Sequence, residues 1–206
     1  MTKAPLIGIS RLRMGTDGHG VTTLVAFHGC PLRCKYCLNP QSLSSDAKIL
    51  MKTPEEIMKE LRKDELYFMA TNGGVTFGGG EPLLRAGLIK DILELGAKQW
   101  HITVETSLNV PQENLVSLFP YIHEYVVDIK DMNPTIYKSY NGRDNELVKS
   151  NLRWLIEQGK AKHITCRIPL ILEFNTPEDQ QRSKRELEAM GITRFDLFTY
   201  RTNIIK

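Results

Sequence analysis

VTTLVAFHGCPLRCKYCLN, the run from Val21 to Asn39, decides how the rest of the chain is read. Its first seven residues, Val21 to Phe27, are apolar and β-branched, the pattern of a buried strand. The loop that follows carries Cys30, Cys34 and Cys37 at x3 and x2 spacing. Three thiolates gathered on one loop are metal-ligand chemistry more often than packing. An iron–sulfur cube takes four cysteines. Three leave one iron without a protein ligand, and an open metal position can bind a small molecule directly. Two other readings fit the spacing. Structural zinc could recruit His28 as a fourth ligand. A dithiol pair could form from Cys34 and Cys37, although it gives Cys30 no purpose. Cys166 stands far away and reads as a small buried hydrophobe.

Outward from this loop, strand and helix patterns alternate. Residues 1–20 read as irregular and 39–52 as a polar loop. Thr53-Pro54-Glu55-Glu56 starts a helix with Thr53 as cap, proline at the first position and Glu56 closing a capping box. That helix runs to Asn72-Gly73-Gly74. Val75 to Phe77 is a second strand, followed by a glycine run, Pro82 and a helix with Leu84, Leu88, Ile92 and Leu95 as its apolar stripe, stopped by Gly96. Strands at His101–Glu105, Tyr125–Ile129, Ile164–Leu170 and Phe195–Phe198 alternate with helices near Gln112–Leu118, Pro134–Tyr140, Glu146–Gln158 and Thr176–Met190. Trp100 and Trp154 read as caps on the core. Alternation of this kind predicts an α/β fold with a parallel sheet covered by helices. Eight such units close a barrel of roughly 250 residues. Six within 206 predict a partial (β/α)6 barrel, open on one side and forming one domain over residues 1–206.

Polar residues cluster where the strands end. The cysteine loop follows the first strand, Gly78-Gly79-Gly80-Glu81 the second, Glu105-Thr106 the third and Asp128-x-Lys130 the fourth. In parallel α/β folds that end of the sheet is the active face. Glycines beside a carboxylate suit a bound ammonium group, although an ordinary tight turn into a helix needs the same residues. Charged strand ends are otherwise simple solvated termini.

Composition excludes several classes. Net charge is +3, with lysines and arginines dispersed, which gives no footprint for nucleic acid. No run of 18 apolar residues predicts a membrane span, and the N-terminus lacks the apolar core of a signal peptide. A cytoplasmic protein with reduced thiols is expected.

Cys30-x3-Cys34-x2-Cys37, with Tyr36 before the third cysteine, resembles the cluster motif of the radical S-adenosylmethionine (radical SAM) superfamily. Asp17-Gly18-His19-Gly20-Val21, the run Gly73 to Pro82 and Val126-Val127-Asp128-Ile129-Lys130 narrow the resemblance to activating enzymes of glycyl radical enzymes, the pyruvate formate-lyase activating enzyme type. The resemblance runs from about Ile7 to Tyr200 and implies the six-unit partial barrel. It implies a [4Fe-4S] cluster on Cys30, Cys34 and Cys37, reduced by a flavodoxin or ferredoxin. SAM would bind the open iron, and its reductive cleavage would give a 5′-deoxyadenosyl radical that takes hydrogen from a glycine of a partner enzyme. Gly79, Gly80 and Glu81 would meet the SAM amino group, and Thr106, Asp128, Lys130 and Arg167 would line the same cofactor. Tyr36 would pack beside the cluster or adenine, and Asn39 would order the loop. Glu105, Thr106 and Asp128 would be the candidates for a monovalent cation, with Glu105 where relatives often have aspartate.

Several positions depart from the family pattern. His19 stands in place of proline, Thr22 in place of a common arginine, Ser107-Leu108 in place of Asn-Gly, and Arg201 in place of a histidine. These changes spare the cluster and bear on the partner. A radical SAM enzyme acting on a peptide or small molecule, and a zinc-stabilised binding module, are the alternatives.

Overall fold

The computed structural model describes residues 2–15 and 17–200. Two compact units emerge, and each is described by itself. The first comprises the chain through Cys30 with Asn39–Thr106 and Pro111–Tyr125. The second comprises Pro31–Leu38, Ser107–Val110 and the chain from Val126 onward.

In the first unit the strands are β1 (Ala4–Met14), β2 (Val21–Phe27), β3 (Leu50–Lys52), β4 (Gly74–Gly79) and β5 (His101–Thr106). They lie in the order β3-β1-β2-β4-β5, so β3 is an edge strand. β2, β4 and β5 are mutually parallel, with Phe27 opposite Gly79 and Phe77 opposite Val104. Their C-terminal ends therefore fall together. β1 joins antiparallel to β2 and carries β3 on its other side.

β1 and β3 correct the expectation of irregular chain at 1–20 and loop at 39–52. The outer half of β1 is exposed and its register slips between Ser10 and Arg13, where Leu12 takes φ +54°. A bulge of this kind breaks the alternation that sequence reading relies on. β3 spans three residues, below the length at which alternation shows.

Helices α1 (Pro54–Leu61) and α2 (Glu65–Thr71) replace the single helix expected after Thr53. The Thr53–Glu56 capping box is present, and a 3-10 turn at Arg62–Asp64 divides the two. Asp64 explains the break. It is fully buried and accepts from Arg11 (Nη2 to Oδ1, 2.5 Å) and from Thr23 (2.6 Å). Helix α3 (Ala86–Glu94) buries Leu88, Ile89, Ile92 and Leu93. Leu84 and Leu95, expected on its apolar stripe, are exposed. Pro82–Arg85 is a 3-10 turn, and its different pitch rotates Leu84 off the face that Leu83 buries. Each buried large aliphatic contributes about 1.5–3 kcal/mol relative to an exposed one. Trp100 is buried with Phe68 edge-on at 5.3 Å. Helix α4 (Gln112–Leu118) completes this unit.

The second unit holds most of β6 (Glu124–Asp128), with β7 (Ile164–Leu170) and β8 (Arg194–Thr199). β7 and β8 are parallel, and β8 is an edge strand. Helices α5 (Pro134–Asn141), α6 (Glu146–Glu157) and α7 (Pro177–Ala189) start at or within a residue of the expected positions. Val127, Ile129, Leu152, Leu155, Ile164, Ile168 and Leu187 are fully buried among them. Among the described residues no helix is long and apolar enough to cross a membrane.

Candidate active site

In the first unit the ends of β2, β4 and β5 assemble a polar corner. Gly80 N–H donates to Phe27 O at 2.9 Å and Glu81 N–H to Gly29 O at 2.8 Å, which fastens the end of β4 to the chain entering Cys30. This contact sets the residue types. Gly79 has φ +93°, and a Cβ there would lie 2.8 Å from Phe27 N; a Cβ on Gly80 would overlap Gly29 O. The two glycines are therefore required by backbone approach before any ligand is considered. Asn39 closes the corner by donating from Nδ2 to Gly79 O at 3.0 Å.

Glu81 is 1% exposed and caps the turn that begins at Pro82. Its Oε1 accepts from Leu83 N–H at 3.2 Å and from the Thr106 hydroxyl at 2.7 Å. Thr106 thus reaches this corner through Glu81. Glu105 sits over Gly78: a Cβ added to that glycine would lie 3.1 Å from Glu105 Oε2. Asp17 is buried and paired with Arg13, whose Nη2 lies 2.7 Å from Asp17 Oδ1. Its carbonyl accepts from the Thr76 hydroxyl, and His19 stacks obliquely on His101 at 6.2 Å. Arg201 lies outside the described residues.

In the second unit the cysteine loop is anchored by backbone. Arg33 N–H donates to Asn141 O at 2.9 Å and Lys35 N–H to Tyr140 O at 3.2 Å. Cys34 and Tyr36 pack against Tyr140, Ile171 and Tyr200. The Tyr36 hydroxyl donates to Glu173 Oε2 at 2.5 Å. Burial pushes the Cys34 thiol up to about 11, against the pull of the Lys130 ammonium. Lys130 is 7% exposed and pairs with Asp128 Oδ2. Burial alone would lower its pKa, but the Asp128 carboxylate more than reverses that, and the amine stays charged. Asp128, one of the cation candidates, therefore already faces an ammonium. Arg167 pairs with Asp196, its partner across β8, at 3.3 Å, and its guanidinium lies 5.3 Å from the Phe198 ring centre. Cys166 is fully buried, with its thiol pushed up to about 12 by burial.

Cys30, Cys34 and Cys37 are of intermediate exposure, in contrast to the buried Cys166. Among the described residues no three His, Cys, Asp or Glu side chains converge as a cage for a single ion. A cube spreads its thiolates over separate corners and does not require that convergence. Three accessible soft donors with no fourth cysteine on the loop suit an iron–sulfur cube with one open corner.

The sequence profile of the Radical SAM superfamily matches residues 24–183. The chain belongs to this superfamily. As a radical SAM enzyme it implies a [4Fe-4S] cluster and SAM. It is 28% identical to the pyruvate formate-lyase 2-activating enzyme of Escherichia coli, over 96% of this chain and 77% of that protein. It is 27% identical to the choline trimethylamine-lyase activating enzyme of Oleidesulfovibrio alaskensis, over 87% and 76%. Among solved structures, SuiB of Streptococcus suis bound to its precursor peptide superposes with a TM-score of 0.65 at 18% identity, over 86% of this chain and 38% of that one. That likeness shows the shared fold, the partial barrel of radical SAM type.

Sequence reading did not single out Asp131, a buried acid directly after Lys130. Its neighbours Met132-Asn133-Pro134 read as an ordinary helix start, and nothing in the spacing marks it.

Proposed function

We propose that this chain is an activating enzyme that installs a glycyl radical on a separate partner enzyme. The observation that carries the reading is its likeness, over most of its length, to activating enzymes for lyases. Cys30, Cys34 and Cys37 would hold the cluster, reduced by a flavodoxin or ferredoxin. When bound, the cluster and SAM supply an electron for carbon–sulfur cleavage and a carbon radical that removes a glycine hydrogen. The chain's own residues do the positioning. Glu81, fixed by Leu83 N–H and Thr106, offers a carboxylate in one orientation to the SAM amino group. Asn39 ties the loop after the cysteines to Gly79. The Asp128–Lys130 pair offers a charged wall, and the Cys34–Tyr36 aromatic packing limits water around the loop. Arg167, turned to Asp196, would need to change partner to reach a SAM carboxylate.

The test is isotopic. Reduced protein and SAM are mixed with a candidate glycyl radical enzyme, ideally one encoded beside this chain, carrying α-deuterated glycine. Deuterium should appear in 5′-deoxyadenosine. Transfer from a peptide or small molecule instead, with none from the candidate enzyme, would replace this reading.

A further inference from the structure

The end of β6 is held in a costly conformation. Lys130 has φ +60°, and the N–H of Asp131 closes a three-residue turn onto Ile129 O at 2.7 Å. A γ-turn with positive φ at its centre is the rare, strained form. A residue with a side chain is disfavoured in this left-handed conformation, where glycine is not. Such strain persists only where the surroundings enforce it.

The enforcing group is the next side chain. Asp131 is 2% exposed. Its Oδ1 accepts from Asn133 N–H at 2.8 Å and from the Ser183 hydroxyl at 3.2 Å, and its Oδ2 accepts from Asn175 Nδ2 at 3.1 Å. Ser183 Oγ in turn accepts from Met132 N–H at 2.9 Å, so its proton is directed at Asp131. Asn145 Nδ2 reaches Met132 O at 2.9 Å and Asp131 O at 3.4 Å. Burial pushes the Asp131 pKa up, and the donors from Asn133, Asn175 and Ser183 pull against it. All three bonds to the carboxyl, one from a backbone N–H and two from side chains, donate toward Asp131, so none needs a proton on it. The turn is thereby tied to the start of α5, to the Asn145 cap of α6, to the loop before α7 and to α7 itself. The segment so fastened presents Asp128 and Lys130.

We propose that Asp131 is a positioning residue for Lys130: its carboxylate locks the strained turn, and the turn holds the ammonium against Asp128 ready for SAM. This rests on the reading of Lys130 as a cofactor-facing residue, and the experiment separates the two.

SAM is titrated into cluster-reconstituted full-length protein carrying Asp131→Ala, Lys130→Ala or both. Each single change should weaken binding about tenfold, and the double variant should bind no worse than Lys130→Ala, the non-additivity of residues acting through one another. Wild-type SAM affinity in a folded Asp131→Ala protein with a lowered unfolding midpoint, beside a weakened Lys130→Ala, would reduce Asp131 to a purely structural role and overturn the proposal. If Asp131→Ala does not fold, Asp131→Asn keeps one acceptor oxygen and serves instead. A second cycle needs no cofactor. Lys130→Gly should be more stable than Lys130→Ala by at least about fivefold in the unfolding constant, because glycine relieves the left-handed strain. That advantage should shrink when Asp131→Asn is added. An undiminished advantage overturns the brace whatever SAM does. A diminished one, with SAM affinity untouched in Lys130→Ala, upholds the brace and removes Lys130 from the cofactor site.

Discussion

Replacing Glu81 by glutamine separates its turn-capping role from the proposed contact with SAM. Oε1 caps the turn at Leu83 and receives the Thr106 hydroxyl. An amide oxygen can accept both bonds, so Glu81→Gln should stay within about 1 kcal/mol of wild type. Alanine removes the cap, worth about 1 kcal/mol. It also strands a buried hydroxyl, at about 1–3 kcal/mol. The sum, about 2–4 kcal/mol, corresponds for a chain of this length to a melting point lower by roughly 5–15 °C. SAM binding should respond in the opposite order of subtlety. If the carboxylate meets the amino group, glutamine forfeits a charge-assisted bond of about 1.5–3 kcal/mol. That is a loss of affinity of roughly 10- to 150-fold. Calorimetric melting and anaerobic SAM titration on the same preparations give both numbers. Glutamine protein with unchanged SAM affinity would refute the ligand role and leave Glu81 as a turn cap.

Cys34→Ala should abolish the roughly four irons per chain expected after anaerobic reconstitution, measured by iron and sulfide analysis; retained iron would remove Cys34 from the ligand set. Leu108 is fully buried at φ +57°, where the family pattern has glycine. Leu108→Ala should cost about 3–5 kcal/mol in urea unfolding, and Leu108→Gly about 1 kcal/mol less than that, since glycine relieves the left-handed backbone. For Asp64, burial raises the pKa, but the hydrogen bonds from Arg11 and Thr23 outweigh it and the net value is lowered. A depressed carboxylate contributes stability that is present above the unfolded value near 4 and is lost as pH falls through the folded value. The urea midpoint should therefore drop steeply below about pH 4, and Asp64→Asn should flatten that limb.

The six strands that carry the site were legible because buried parallel strands are short apolar runs bounded by glycine, proline and caps. Val21–Phe27 and Ile164–Leu170 match the structure end to end. The Thr53 and Thr176 caps were legible because a hydroxyl, a proline and an acid at fixed spacing satisfy the first amides of a helix. β1 was not, because its outer half is exposed and bulged, and the glycines at 15, 18 and 20 dominate that stretch. At the site, the glycine run was visible, but its cause was not: Gly79 and Gly80 answer to Phe27 and Gly29, fifty residues away in sequence. Arg167 read as cofactor-facing, and its pairing with Asp196 depends on the β7–β8 register, which no local pattern encodes. Asp131 escaped notice for the same reason, since Asn175 and Ser183 are brought to it only by the fold.

The proposed reaction leaves a radical on a partner's glycine. Its most direct measurement is electron spin resonance of the reduced protein, SAM and the candidate glycyl radical enzyme, frozen after mixing. A doublet from the single remaining α-hydrogen is expected, collapsing to a singlet when the glycine is α-deuterated. SAM cleavage without any protein-centred doublet, across partners that fold and bind, would rule out glycyl radical installation.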